Sequence, residues 1–370
     1  MKNLFISDLN KKDVSSFTSN IGLFIRRKTD KLFKSLCHIF TNANIIYLNQ
    51  GKDMTDDEYF NQYSEKYVEP SKYGLKSGKN NIVVERYPKL DKNESYIFVG
   101  NHSCPEDIET MLNVIDRNAY LVLGSIDSLQ YNPEMYLLWL NGMIPFDILD
   151  KKERKELMPK MERVINKNSI LIYPEGSHNF SPNKLINNLF DGPVNLALKT
   201  NKKIVLLTLV RDNDNNVSYI DASNPIDINE MYKKTSNIPT EKERVNTISS
   251  YLRDMMATSV YCLFAKHIKM VERSKNDHIE SKIRAIKVKD AFAKLHWNKD
   301  VFEAEYLTKK SKEEKEYEDV LETMSNLRLN LEILKATKIN TKDYIIKNDD
   351  IHNKDVVECM KRELIKRKSR

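Results

Sequence analysis

Glycine and proline are confined to the first two thirds of this 370-residue chain. All nine glycines lie between Gly22 and Gly192, and all eleven prolines between Pro70 and Pro239. Residues 240–370 therefore run for 131 positions without the two strongest breakers of regular structure. That predicts a long helical part behind a turn-rich one. Hydrophobic residues make up 40% of the chain, enough for a sizeable core, and charged residues 31%. No apolar run approaches the roughly 20 residues a spanning helix needs. The opening MKNLFISDLNKKD lacks the long apolar stretch of a secretory signal. Cys37, Cys104, Cys262 and Cys359 lie far apart with no Cys-x-x-Cys pair. Neither a disulfide framework nor a metal site is indicated, and a reducing cytoplasm is the default. The net charge of +7 is scattered and no recognised nucleic-acid module accompanies it, so no nucleic acid is expected as a partner.

Three segments are expected: an N-terminal amphipathic helix with a connecting segment over 1–79, an α/β domain over 80–265, and a helical extension over 266–370. In the first, residues 14–40 carry Phe17, Ile21, Phe24, Ile25, Leu32, Leu36, Ile39 and Phe40 at helical spacing. Lys and Arg at 26, 27, 28, 31 and 34 supply the polar side. Such a helix suits a membrane interface with anionic headgroups, or it packs its apolar face on the next domain; a stripe alone does not name its partner.

From 80 to 225, short β-branched and aromatic runs alternate with helical stretches. Strands are expected at 81–87, 95–100, 119–124, 143–148, 169–176, 203–210 and 217–221, and helices at 105–117, 132–141, 151–167 and 192–201. The alternation predicts an α/β fold with a mixed, largely buried sheet flanked by helices. Beyond Pro239, Val245, Ile248, Leu252 and Met255 form a helical stripe. Tyr317, Val320, Met324, Leu327, Leu331 and Leu334 follow coiled-coil spacing over too short a stretch for a coiled coil, so a helical hairpin is expected there.

Two stretches hold residue types suited to chemistry. The strand SYIFVG runs into Asn101-His102, and Asp107 falls in the first turn of the helix that follows. An Asp on one ring nitrogen of His102 would set the tautomer and leave the other nitrogen as a base. The strand SILIY ends in Pro174-Glu175-Gly176-Ser177. A carboxylate and a glycine delivered at a strand's C-terminal end are the usual layout of a site in an α/β sheet. Glu175 suits either a backbone amide or a polar substrate head, and Gly176 permits close backbone approach.

In order and spacing these blocks resemble the lysophospholipid (1-acyl-glycerol-3-phosphate) acyltransferase family. Its Asn-His-x4-Asp block matches Asn101, His102 and Asp107. Its Gly-x-x-x-Phe block resembles Gly142 to Phe146, and its Phe-Pro-Glu-Gly-Thr block resembles Tyr173 to Ser177. A strand, Asn224-Pro225-Ile226 and an amphipathic helix ending near 265 complete the likeness, which spans about half the chain. The resemblance implies O-acyl transfer from an acyl thioester, on coenzyme A or acyl carrier protein, to a hydroxyl of a lysophospholipid or glycerolipid-like acceptor. It implies His102 as general base, Asp107 as its orienter, and Glu175, Gly176, Ser177, Gly142, His178, Lys151 and Lys152 on the substrate side. No cofactor is implied. The implied setting is cytoplasmic and peripheral, at the inner membrane surface.

The chain also departs from the family. Ile148 and Leu149 stand where an Arg commonly follows the second block, and His178 where one follows the third. Lys203 and Leu206 occupy the strand where the fourth block has Pro. Lys151, Lys152 or Arg154 would have to replace the absent guanidinium groups on an acceptor phosphate, or they are the solvated start of a helix. Cys104 stands where the family often has Ser; it is an acyl-accepting thiol or, as thiols more often are, a small buried residue. These departures motivate an alternative: a catalytically weakened lipid- or partner-binding protein on the same fold.

Overall fold

Short β-branched runs that end at Gly, Pro or Asn become the strands of one sheet. In the computed structural model, residues 20–52, 54–56, 59, 68–104, 106–124, 138, 141–146, 150–176, 186–212 and 215–267 are described. In chain order the elements are α1 (Asn20–Lys28), α2 (Asp30–Phe40), β1 (Ala43–Tyr47), β2 (Asn80–Arg86), β3 (Ile97–Gly100) and α3 (Asp107–Val114). Then come β4 (Ala119–Leu123), β5 (Met143–Pro145), α4 (Lys151–Ile165), β6 (Ser169–Ile172) and α5 (Gly192–Thr200). The last are β7 (Ile204–Asp212), β8 (Val217–Ala222), α6 (Ile228–Lys234) and α7 (Glu241–His267).

The strand order is β1-β2-β8-β7-β3-β6-β4-β5. Only the β7–β8 pair is antiparallel, so β7, β3, β6, β4 and β5 run one way and β8, β2 and β1 the other. Period-two alternation sends Ile97 and Val99 of β3 to one face and Phe98 to the other. The first face is covered by α4, α5, α6 and α7, through Met161, Val194, Met231 and the expected stripe Val245, Ile248, Leu252 and Met255. The second is covered by α3 through Met111, Val114 and Ile115. Both faces are thus buried, and the fold is the mixed α/β sandwich its alternation predicts. β3 and β6 are adjacent and parallel, with Val99 beside Ile172. Their C-terminal ends therefore deliver residues 101–107 and 173–176 to one edge of the sheet.

The N-terminal part differs from its expected form in three respects. The single helix expected over 14–40 is interrupted at Thr29, which departs from helical dihedrals at φ −94° and ψ 5° and whose hydroxyl donates to the Ile25 carbonyl at 3.0 Å, a back-bond that bends helices. Positions 14–19 lie outside the described residues. The cations do not share one side either: Arg26 is buried and Lys34 half-buried, while Arg27, Lys28 and Lys31 are exposed. Finally, the sheet begins before residue 80. Asn42, at φ 50°, turns the chain from α2 directly into β1, which pairs with β2 in the stretch read as a connecting segment.

No helix among the described residues is long and apolar enough to cross a membrane. The apolar seam at 317–334, all of 268–370 and most of the expected helix 132–141 lie outside the described residues.

Candidate active site

Asn101 pins the chain where β3 ends. Its side-chain amide donates to the Leu209 carbonyl at 3.0 Å, and its oxygen accepts the Leu209 amide at 2.7 Å. This amide pair extends the β3–β7 ladder by one step in side-chain form. Gly100 just before it has no room for a side chain: a Cβ would lie 2.6 Å from Met111 Sδ and 2.9 Å from the Tyr173 ring. The chain is thereby pressed onto α3 as it leaves the sheet.

The next residues wrap around one carboxylate. Asp107, fully buried at the start of α3, accepts His102 Nδ1 at 2.8 Å with its Oδ2. The same oxygen accepts the backbone amides of Ser103 at 2.9 Å and Cys104 at 3.3 Å. The positive end of α3 also favours negative charge here. An aspartate accepting at Nδ1 fixes the imidazole proton there and makes Nε2 the basic nitrogen. The His102 ring retains 15% exposure and packs against Tyr173 at 4.8 Å between centroids. Tyr173 in turn donates to Met111 Sδ at 3.3 Å, tying the ring's support to α3.

Glu175 anchors the same turn from the neighbouring strand. Its Oε1 accepts the His102 backbone amide at 2.9 Å and its Oε2 the Asn187 amide at 2.8 Å. Burial pushes its carboxyl up to about 7, against the pull of those two amides. Next to it, Gly176 is held at φ 77°, where a Cβ would fall 2.4 Å from the Phe190 ring. Gly176→Ala should therefore cost about 1–3 kcal/mol through backbone strain and overpacking, read as a lowered Tm. An unchanged Tm would show that the turn relaxes freely.

His102, Asp107, Glu175 and Gly176 thus converge at one sheet edge. Of the other expected residues, Gly142 does not join them. Gly142, at φ 103° against the Tyr120 ring, precedes β5, which β4 and β6 separate from β3. Lys151 and Lys152 are exposed at the start of α4, where Asp150 caps the Lys152 amide at 2.7 Å. Ser177, His178, Ile148 and Leu149 lie outside the described residues. Cys104 is 3% exposed, and burial pushes its thiol well above the usual range. It is a packing residue, without the thiolate character a nucleophile needs.

Residues 81–210 match the family model described as Acyltransferase, a span holding His102, Asp107 and Glu175. Over that span, about a third of its length, the chain is similar to acyltransferase domains. No curated protein sequence matches the chain. Among solved structures it is similar to the 1-acyl-sn-glycerophosphate (LPA) acyltransferase PlsC from Thermotoga maritima. That likeness is 17% identical, covers 52% of this chain and 74% of that one, and has a TM-score of 0.37. Within the matched span, Asn101, Gly100 and Tyr173 are residues whose structural roles the sequence did not show. Asn101 and Tyr173 belong to the motif blocks and Gly100 precedes the first, but the motifs alone do not show what their side chains hold; the abrupt end of two apolar strands at Gly100 and Tyr173 is a further signal.

Proposed function

We propose that this domain transfers a fatty acyl group from an acyl thioester, on coenzyme A or acyl carrier protein, to a free hydroxyl of a lysophospholipid or glycerolipid-like acceptor. The observation that carries this reading is the 2.8 Å contact of His102 Nδ1 with the buried Asp107 carboxylate, on a loop anchored by Glu175. Nε2 takes the acceptor hydroxyl's proton as its oxygen attacks the thioester carbonyl. When the tetrahedral intermediate collapses, the C–S bond breaks, the ester remains, and the imidazolium returns the proton to the leaving thiolate. Asp107 stabilises the imidazolium in between, as in a triad whose nucleophile is the substrate itself. The test is thiol release from acyl-coenzyme A and from acyl carrier protein against a panel of lysolipids with and without a phosphate. Release that depends on an acceptor supports the reading; no release with any pair contradicts it and favours a binding protein.

The same reading includes peripheral attachment to the cytoplasmic membrane surface. The apolar stripe of the N-terminal helices does not pack on the domain. Ile21, Phe24, Ile25, Leu32, Leu36, Ile39 and Phe40 are exposed, Ile21 by 73% and Ile39 by 72%. Arg27, Lys28 and Lys31 lie exposed among them, while Leu23, Arg26 and Phe33 face inward. Contiguous apolar surface of this kind is unusual on a monomer, and interleaved cations suit anionic headgroups. Arg26 ties the helix pair to the domain through the Asn141 carbonyl at 2.6 Å and side-chain oxygen at 3.0 Å. Phe24→Asp with Phe40→Asp should reduce sedimentation with anionic liposomes by at least about ten-fold without unfolding the domain. Full sedimentation of that variant would place the lipid contact elsewhere.

A further inference from the structure

The two ends of α3 are held by different parts of the molecule. A helix leaves its last carbonyls without intrahelical partners. In α3 these carbonyls meet donors from the N-terminal segment. His38 Nε2 donates to the Asn113 carbonyl at 3.4 Å, and the Tyr47 hydroxyl to that of Val114 at 3.4 Å. Lys34 Nζ donates to the Ile115 carbonyl, and Asn113 Nδ2 donates to Thr41 Oγ1 at 3.0 Å. Lys34, His38 and Thr41 share one side of α2, at spacings of four and three residues. Leu32, Leu36, Ile39 and Phe40 occupy the opposite, exposed side.

α3 has eight residues, a rod of about 12 Å. Asp107 stands at its first position and Lys34 meets its far end, so cation and carboxylate complement the helix dipole at its opposite poles. Burial draws the Lys34 ammonium down to about 8, against the pull of Asp30 and Asp116, which leaves it charged at neutral pH. A short helix packed by Met111, Val114 and Ile115 resists lifting from the sheet, while contacts at its end resist sliding along its axis. Sliding matters because an axial shift of about 1 Å takes a 2.8 Å hydrogen bond beyond its normal range.

We propose that Lys34 and His38 are positioning residues for acyl transfer, holding α3 from its carbonyl end so that Asp107 meets His102. The proposal rests on His102 being the base. Its test uses the full chain with a thioester donor and a short-chain, water-soluble acceptor, without vesicles, so that membrane docking plays no part. Lys34→Met with His38→Leu should lower kcat by about ten-fold or more, with KM for both substrates within about two-fold of wild type. Lys34→Arg, which keeps a cation at the helix end, should retain most of kcat. His38→Leu alone changes an exposed side chain and should give a smaller loss of the same kind, which covers the case of a misfolded double variant. His102→Ala is assayed beside them. If it is inactive while the Lys34 and His38 variants keep wild-type kcat, the positioning role is overturned and the base assignment stands. If His102→Ala is itself active, the base assignment falls. Loss of kcat in Lys34→Arg equal to that in the double variant would also overturn the proposal.

Discussion

Replacing His102 with Ala should lower kcat for acyl transfer by about 10³-fold, with the far-ultraviolet spectrum and Tm close to wild type. The size follows from the work assigned to one group. An acceptor alcohol is a poor nucleophile at neutral pH, and Nε2 must accept its proton as the C–O bond forms. The fold should survive because the His102 ring is partly exposed and the bond from its backbone amide to Glu175 does not involve the side chain. Asp107 would then remain buried with the Ser103 and Cys104 amides on its carboxylate. KM for the acyl donor should move little, since the lost interaction belongs to the transition state. A variant with wild-type kcat would remove His102 from the mechanism.

Glu175→Ala should have the largest effect on stability. It removes the carboxylate that accepts two backbone amides, those of His102 and Asn187, at about 1–3 kcal/mol each, before any cost of the space left behind. The same loss frees the turn that carries His102, so kcat should fall together with Tm. The pH dependence has a definite sign. Burial pushes the Glu175 carboxyl up to about 7 in the folded chain, against 4.5 for an ordinary glutamate. The folded chain therefore holds this proton more tightly. The group's contribution is complete below 4.5 and is lost as pH rises through about 7, a change of about 3 kcal/mol. Glu175→Gln has no such titration. Its stability relative to wild type, from chemical denaturation, should improve by about 2–3 kcal/mol between pH 5 and pH 8. A constant difference across that range would mean that Glu175 is ionised throughout.

The sheet was largely legible because its strands are continuous apolar runs, buried on both faces and punctuated by Gly, Pro or Asn. β1 was not, since its five residues, ANIIY, are half-buried throughout and show no alternation. His102 and Asp107 were legible as a pair because a five-residue separation spans one tight turn. Glu175 was visible as a carboxylate at a strand end, but its partners are backbone amides, one of them 73 residues away, and amides carry no residue signature. Gly142 was legible as a motif yet serves a turn against Tyr120, two strands from β3. The outward direction of the N-terminal stripe was illegible for a different reason. Periodicity shows that a helix has two sides, and only packing shows which one meets the protein. Lys34 illustrates this: expected on the helix's polar side with the other cations, it turns inward to the end of α3.

The most direct measurement is product analysis by mass spectrometry, with purified wild-type protein and His102→Ala side by side, each given an acyl thioester and a lysolipid acceptor. A diacylated lipid and free thiol in equal amounts are expected from the wild type, and neither above background from the variant. Equal product from both proteins would contradict the assignment of His102 as the base.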